Sequence, residues 1–353
     1  MVWVVLFLAW FNTENSPGLK PTVTLAAIED EEAWLQLPYS VDVDDRGNYY
    51  VVDVLARTVF VWDKTGRYVR RFGSEGQGPG ELTFSPRGNG GHQGYIASAG
   101  DRIYVFDGTV SRVSVFDREG KFIRSIPFQL PGGRSEGFFV TPKHQFLVYQ
   151  RSYFKDIPEM EVSIFDDKAQ LQHKIFSRDD RTFSRKKEGG DITGIVYHAY
   201  APTIYTHYDY SRNRVIIGQT GEPAFELYDL KGNRIQRIAS KITPRKVTKA
   251  DKEEYLEQAW IKDSAFLSAD FPEYMAYYDS VLPLGDRGYL IYYQSRVDAV
   301  VKGWFIDVNG NKKQSFTFNC GEGGGLFGSR GHVIAVRTDE DGEYFIQEVS
   351  ITE

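Results

Sequence analysis

Three arginines lie at matching places in a sequence that repeats itself. Each follows or ends a short apolar stretch: Arg151 after QFLVYQ, Arg296 after YLIYYQS, and Arg337 at the end of HVIAVR. Aromatic residues lie beside the first arginine and in the next long loop: Tyr153, Tyr197, His198 and Tyr200. Arginine offers paired N–H donors to a carboxylate or phosphate, and aromatic rings offer stacking area. These seven residues therefore predict a site for an anion or a sugar.

The same pattern is compatible with two arrangements that need no ligand. Asp53 and Asp107 end the matching stretches NYYVVD and RIYVFD, so they can form ion pairs with the arginines around a central hollow. The basic run 181–187 can also belong to a solvated loop. The sequence leaves these interpretations open beside the ligand site.

No cofactor or catalytic motif is evident. The loop GSEGQGPGELTF lacks the Gly-Lys-Ser/Thr ending of a nucleotide-binding loop. No Ser-His-Asp order or nucleophile elbow can be singled out. The acidic runs 42–47 and 339–343 lack the full ligand spacing of a calcium loop. His198 and His207 flank one predicted strand and leave a metal site open, but we predict neither a metal nor a cofactor. The lone Cys320 is typical of a buried small side chain.

The elements that carry these residues are repeated hairpins. Four close copies are VFVWDKTGRYVRRFG, SVFDREGKFIRSIP, FELYDLKGNRIQRI and WFIDVNGNKKQSFTF, and a looser one is SIFDDKAQLQHKIF. Their alternating apolar residues are typical of strands with one buried face. Asp and Gly suit the Asp-x-x-Gly turn between the strands, so we expect positive φ at Gly120 and Gly232.

A second strand pattern occurs six times along the chain. It lies before the repeated hairpins or recurs at the same spacing. A repeat of about 50 residues with four short strands is typical of a β-propeller blade. The last copy lacks its outermost strand, and PTVTLA at 21–26 can supply it. The sequence therefore predicts an all-β, six-bladed β-propeller whose N-terminal strand completes the last blade.

Residues 38–127 resemble the repeat of NHL-type six-bladed propellers. The resemblance rests on RFGSEGQGPGELTFSPRG and DRIYVFDGTVSRVSVFDREGKFIRSI, and it is looser after residue 127. The chain is similar to six-bladed propeller proteins that are common in the secreted and envelope proteins of Bacteroidetes-like bacteria. The resemblance implies a fold rather than a chemistry, because most of those proteins have no assigned activity.

Long connections concentrate on one predicted face of the propeller. They are 73–94, 151–160, 177–201 and 239–275, whereas the turns on the other face are short. The stretch TPRKVTKADKEEYLEQAWIKD predicts one helical insertion near 248–262, with Thr248 as N-cap and Asp251 three residues later. Long loops on one face of a rigid scaffold indicate a binding surface.

The N-terminal segment and the net charge indicate where the protein is located. Residues 1–17 begin with an apolar run that is too short to span a bilayer and resembles the core of a secretory signal. We expect this segment to be a signal-peptide remnant and residues 18–353 to form the propeller. The formal net charge of −6 gives no drive toward nucleic acid. We predict an exported protein of the periplasm or cell envelope.

The predicted function is binding. We expect a monomer without catalytic activity that holds an acidic glycan, peptide or protein ligand on the loop-elaborated face and at the mouth of the central channel. The alternative is a hydrolase or lyase with a metal-assisted site at that mouth. Converging His, Asp or Glu side chains would favour the enzyme, and an aromatic, arginine-lined hollow would favour binding.

Overall fold

The computed structural model describes residues 18–25, 34–84, 94–130, 133–152, 158–295, 299–321 and 323–351. The first strand, β1 (Leu19–Thr24), joins the last sheet and is considered with it below. Two four-stranded antiparallel sheets, here called blades 1 and 2, follow. Their strands are β2 (Pro38–Val43), β3 (Tyr49–Asp53), β4 (Thr58–Trp62), β5 (Tyr68–Phe72), β6 (Gly94–Ala99), β7 (Arg102–Asp107), β8 (Arg112–Asp117) and β9 (Phe122–Pro127).

Blades 3 and 4 are separated by an inserted hairpin. Blade 3 contains β10 (Gly133–Val140), β11 (Phe146–Ser152), β12 (Glu159–Phe165) and β13 (Leu171–Asp179). The hairpin consists of β14 (Phe183–Glu188) and β15 (Asp191–His198). Blade 4 contains β16 (Ile204–Asp209), β17 (Arg214–Gln219), β18 (Ala224–Tyr228) and β19 (Arg234–Ala239).

A second insertion precedes blade 5. It contains the helices α1 (Lys249–Glu257) and α2 (Ala259–Lys262) and the strand β20 (Leu267–Asp270). Blades 5 and 6 complete the chain, with a short 3-10 turn at Gly285–Arg287. Their strands are β21 (Ser280–Pro283), β22 (Tyr289–Ser295), β23 (Val300–Ile306), β24 (Lys312–Asn319), β25 (Gly325–Ser329), β26 (His332–Thr338) and β27 (Tyr344–Ile351).

The six blades form a closed ring. The innermost strands β2, β6, β10, β16, β21 and β25 contact one another in that order, and β25 contacts β2 again. Each of six buried apolar clusters contains side chains from two neighbouring blades. A blade buries both of its faces only by stacking on its neighbours, so the ring and the core are one structure. The predicted six-bladed β-propeller is confirmed.

The N-terminal strand closes the last blade, as predicted. β1 pairs with β27 in antiparallel fashion, from Leu19 opposite Ile351 to Thr24 opposite Gln347. The strand begins two residues before the predicted PTVTLA segment and ends at Thr24. Leu19 is buried in the cluster between blades 5 and 6, so β1 contributes to the core as well as to the ladder. Residues 1–17 lie outside the part of the chain that the structure describes.

The Asp-x-x-Gly turns have the predicted geometry. Gly120 and Gly232 have φ of 84° and 86°, in the left-handed region that glycine enters without strain. In each turn the glycine N–H donates to the carbonyl of the aspartate three residues earlier, at 3.1 Å for both glycines. The aspartate carboxylate also accepts backbone N–H donors, as Asp229 does from Lys231 and Asn233.

The two long insertions combine into one cap on the predicted loop-elaborated face. β14, β15 and β20 form a three-stranded sheet in which β20 runs parallel to β15. The predicted helix near 248–262 is present, and it is divided at Gln258 into α1 and α2. We refer to β14, β15, α1, α2 and β20 together as the cap. The sequence indicated only a loop at 177–201, so the hairpin there is a new finding.

Two smaller predictions concern membrane spans and the cysteine. Among the described residues, no helix has the length and apolar character needed to cross a membrane. Cys320 is fully buried, and this burial raises the pKa of its thiol to about 12. The thiol is therefore protonated and packs as an apolar side chain, as the sequence indicated.

A substitution in β1 tests ring closure. Leu19→Asp places a charge in the cluster between blades 5 and 6 and should lower the free energy of unfolding by about 2–4 kcal/mol. Lys20→Asp changes the neighbouring, exposed residue of the same strand and should have little effect. Chemical denaturation measures both variants. Equal stabilities for the two would contradict the docking of β1 on the last blade.

Substitutions at two turn glycines allow the effect of backbone strain to be measured separately from that of crowding. Gly120 and Gly342 have φ of 84° and 83°, but an added Cβ lies 2.7 Å from Phe72 at Gly120 and meets nothing within 4 Å at Gly342. Gly342→Ala should destabilise by about 1 kcal/mol through strain alone. Gly120→Ala should lose about 1–3 kcal/mol more through overpacking. Urea titrations of both proteins check this, and identical losses would refute the packing of this turn on Phe72.

Candidate functional site

A cavity of about 1480 Å³ lies between the cap and blades 3, 4 and 5. Its propeller side is formed by the ends of strands and the connections that emerge on the loop-elaborated face. Its other side is formed by the cap. The lining from the propeller includes Arg134, Arg151, Thr203, Thr220, Tyr277, Ser280 and Gln294, and the lining from the cap includes Phe183, Arg185, Tyr197 and Tyr255, with Arg245 from the segment just before α1.

Side chains alternate between the two faces of strands β14 and β15. This alternation determines which residues of the cap sheet line the cavity. Phe183 and Arg185 line the cavity, and so do Ile195 and Tyr197 on the facing strand. Phe183 is paired with Tyr197 in the ladder, and their rings are 6.0 Å apart. The guanidinium of Arg185 lies 5.8 Å from the centre of the Phe183 ring. The cavity wall is therefore an aromatic surface with a cation above it.

An ion pair at the start of helix α1 forms a second part of the cavity wall. Arg245 donates to both carboxylate oxygens of Asp251, at 2.7 and 2.8 Å. Asp251 also accepts from the Thr248 N–H and hydroxyl, which completes the predicted capping box. Hydrogen bonds from Arg245 hold the pKa of Asp251 well below its usual range, and burial opposes this only in part. The carboxylate is thus ionised and fixes both the helix and the arginine.

An aromatic cluster fastens the helix to the propeller. The Tyr200 hydroxyl donates to the Asp251 carbonyl at 2.9 Å. The Tyr200 ring is 5.6 Å from that of Tyr255 and 6.3 Å from that of Phe271, with tilted or edge-on geometry. Tyr255 therefore packs in this cluster, whereas the adjacent Leu256 is 42% exposed.

Arginines from blade 3 are held in place by acidic partners. The Arg151 Nε lies 2.9 Å from the Asp180 carboxylate and 3.9 Å from that of Glu136. Arg134 lies 3.5 Å from Glu136. Asp180 is fully buried and accepts from Thr182 as well. The propeller thus presents guanidinium groups that carboxylate partners hold in place.

The structure places four of the seven predicted site residues in one cavity. Its lining includes Arg151, Tyr197, His198 and Tyr200. Tyr153 and Arg296 lie outside the described residues. Arg337 is not part of the lining: its guanidinium lies 5.1 Å from the rings of both Phe318 and Phe345 and donates to Gln347.

The two aspartates of the alternative rim have backbone partners. Asp53 accepts from the N–H groups of Gln36 and Leu37, and Asp107 accepts from that of Thr83. Arg151 forms its ion pair with Asp180 instead, a residue that the sequence did not single out. Arg245 was missed too, although its place three residues before the capping box was a usable signal.

The central channel is narrow and aromatic. A space of about 240 Å³ is lined by residues of the innermost strands, including Tyr39, Tyr95, Phe139, His207 and Phe327. It shares Ser280 and Tyr292 with the larger cavity, so the two spaces adjoin. Within the described ranges, no three His, Cys, Asp or Glu side chains are grouped to hold a metal.

The two histidines that left a metal site open have other partners. The ring nitrogens of His207 lie 3.0 Å from the Tyr208 carbonyl and 2.9 Å from the Gly328 carbonyl. The ring nitrogens of His198 contact Ser184 and Asp270. The two side chains therefore do not converge on a common ligand position.

Comparison with known proteins agrees with this architecture. A family model described as a six-bladed beta-propeller matches residues 30–85. The chain is a six-bladed β-propeller. A Bacteroides fragilis protein described as exported has 12% identity and a TM-score of 0.55, over 97% of this chain and 98% of its own. A Bacteroides vulgatus protein from a family of unknown function has 11% identity and a TM-score of 0.53, over 95% and 98%.

These likenesses show the fold alone, because the identities are low. No curated protein is significantly similar in sequence to this propeller. Function is therefore inferred from the cavity and its side chains.

The Arg245–Asp251 pair gives a prediction with a defined pH range. Because the pKa of Asp251 is lowered in the folded protein, its contribution is complete above the usual aspartate pKa of about 3.9 and is lost as the pH falls further. Asp251→Asn should loosen helix α1 by about 1–3 kcal/mol at neutral pH. Hydrogen exchange of residues 249–257 measures this loss, which should shrink in acid. Glu253→Gln, on the exposed side of the same helix, is the control; an equal effect there would contradict the assignment.

Proposed function

We propose that this propeller is a binding protein that holds an acidic oligosaccharide in the cavity beneath the cap. The observation that carries the proposal is the lining itself, which combines oriented arginines with tyrosine rings in a space of about 1480 Å³. Ligand pockets of about 300–1000 Å³ hold single small molecules. The larger cavity has room for several sugar rings.

The exposure of each ion pair supports an acidic ligand. The Arg151 side chain is 21% exposed and Asp180 is fully buried, while Arg245 is 35% exposed and Asp251 only 6%. In both pairs the arginine side chain is the more accessible partner and the carboxylate is covered. A guanidinium that a buried carboxylate already orients loses little freedom when a second acceptor binds it.

The charge balance favours a lightly charged ligand. The lining contains four arginines and three acidic residues, namely Arg134, Arg151, Arg185, Arg245, Asp251, Glu254 and Asp279. A dense polyanion would encounter these carboxylates as well as the arginines. One or two carboxylates on an otherwise neutral sugar chain fit better, because the tyrosines then supply the remaining contact area.

The proposed location and oligomeric state are those predicted from the sequence. The protein acts as an exported monomer of the periplasm or cell envelope, and its ligand reaches the cavity from the loop-elaborated face. The similarity to a protein described as exported supports this location. Among the described residues, nothing specifically favours the alternative metal-assisted hydrolase or lyase.

Adjacent residues of β14 provide a matched test. Arg185 lines the cavity, and Lys186 is its exposed neighbour on the opposite side of the strand. We expect calorimetry to detect binding of an oligosaccharide that contains uronic acid. Arg185→Gln should weaken this binding by about 1–3 kcal/mol, since a charge-assisted hydrogen bond is lost. Lys186→Gln and Arg337→Gln should leave the affinity unchanged.

Three panels of oligosaccharides make the result decisive: uronic acid-containing, neutral, and heavily sulfated chains of equal length. The proposal expects the first panel to bind most tightly. Absence of binding in all three panels would overturn it. So would an equal loss of affinity in the Arg185 and Lys186 variants, because general surface charge would then explain the binding.

A further inference from the structure

A second group of polar side chains lies on the outer surface of the cap sheet. The Ser184 hydroxyl lies 3.1 Å from Nε2 of His198, and Nδ1 of the same histidine lies 2.7 Å from the Asp270 carboxylate. The three residues come from three adjacent strands, β14, β15 and β20. The two separations are within hydrogen-bonding distance, so the side chains form one continuous chain of contacts.

The pleat of the sheet places the three residues on one surface. His198 and Asp270 are direct partners in the parallel pair, so their side chains project to the same side. Ser184 is opposite Val196, which lies two residues before His198 and hence on that side too. Their neighbours Phe183, Arg185 and Tyr197 line the cavity on the other side. Ser184 and Asp270 are therefore not part of the lining of the proposed binding cavity, whereas His198, at the end of β15, also lines it.

The partners determine the proton positions on the histidine. A carboxylate oxygen accepts hydrogen bonds, so Nδ1 of His198 carries a hydrogen and donates it in the hydrogen bond to Asp270. With that hydrogen on Nδ1, Nε2 is the nitrogen that can accept a hydrogen bond from the Ser184 hydroxyl. This is the polarity that a serine nucleophile needs, with a base beside it and a carboxylate to orient the base.

We propose that the outer surface of the cap sheet catalyses acyl transfer from small, unhindered carboxylic esters. The Ser184 oxygen attacks the ester carbonyl carbon while Nε2 of His198 takes the hydroxyl proton. The bond to the alcohol breaks, and the alcohol leaves with that proton. Water then attacks the acyl-Ser184 ester with His198 again as base. The carboxylic acid is released, and Ser184 regains its proton.

The surroundings limit the reaction to accessible substrates and a modest rate. The side chains of His198 and Asp270 are 32% and 60% exposed, so solvent weakens the influence of the carboxylate. General-base assistance alone contributes about 10²–10⁴-fold, and the lower end applies to an open surface. Lys186, two residues after Ser184, packs its aliphatic chain over Gly194 on the same surface and adds a positive charge.

An active-site label tests the proposal directly. The full chain is treated with a fluorophosphonate, and the modified residue is found by peptide mass spectrometry. Hydrolysis of p-nitrophenyl acetate is measured in parallel. We expect labelling at Ser184 and loss of the enzyme-dependent hydrolysis in Ser184→Ala. Ser268→Ala is the matched control, because Ser268 pairs with Val196 on the same surface, whereas the hydrogen-bonded chain consists of Ser184, His198 and Asp270.

Asp270 acts through His198 and is a positioning residue. Asp270→Asn should lower kcat about tenfold and leave KM unchanged, and Asp270→Glu should recover part of the rate. Ser184→Ala should not change the affinity for an acidic oligosaccharide, so failure of one proposal is distinguishable from failure of the other. Labelling of Ser184 no stronger than that of Ser268, or hydrolysis unchanged in Ser184→Ala, would overturn the acyl-transfer site.

Discussion

Closure of the ring is the constraint on which the rest of this structure depends. Every blade has two apolar faces, and each becomes buried only against a neighbour. Six four-stranded sheets satisfy this requirement because β1, from the start of the described chain, pairs with β27 at its end. The pairing also covers an edge that would otherwise remain open for association with other chains. The scaffold that results holds the connections of one face at fixed positions.

The cap depends on this fixed geometry. Its sheet joins a hairpin inserted after blade 3 to a strand inserted after blade 4, and its helix is fixed by the contact of Tyr200 with Asp251. Buried carboxylates perform a related task in the cavity, because Asp180 and Asp251 orient arginines that remain partly accessible. The same structural element thus has two distinct surfaces. One lines a large cavity, and the other carries Ser184 and Asp270, while His198 is in contact with both and also lines the cavity.

The sequence predicted what depends on local pattern. The blades, the turn glycines and the closing strand follow from alternation, Asp-x-x-Gly spacing and repetition, and Thr248 with Asp251 marks the helix start. The cap sheet could not be predicted in this way. Its parallel pairing of β15 with β20 joins residues such as His198 and Asp270, which are 72 positions apart with blade 4 between them. Neither strand shows in sequence which partner it will find.

The arginines show a second limit of repeat-based prediction. Equivalent positions in a repeat share a backbone environment, but each side chain responds to its own neighbours. Arg337 packs against Phe318 and Phe345, whereas Arg151 pairs with Asp180 and lines the cavity. Both aromatic partners of Arg337 come from outer strands. For Arg151 and Arg337, equivalence in the repeat therefore did not predict a common environment for the side chains.

Binding of an acidic ligand beneath the cap is the central claim, and hydrogen exchange of the full chain tests it most directly. Exchange is measured with and without a uronic acid-containing oligosaccharide at saturating concentration. The account predicts slower exchange in β14, β15 and residues 245–257, with no change in the Asp-x-x-Gly turns on the opposite face. Protection confined to those turns, or absent from the cap, would contradict it.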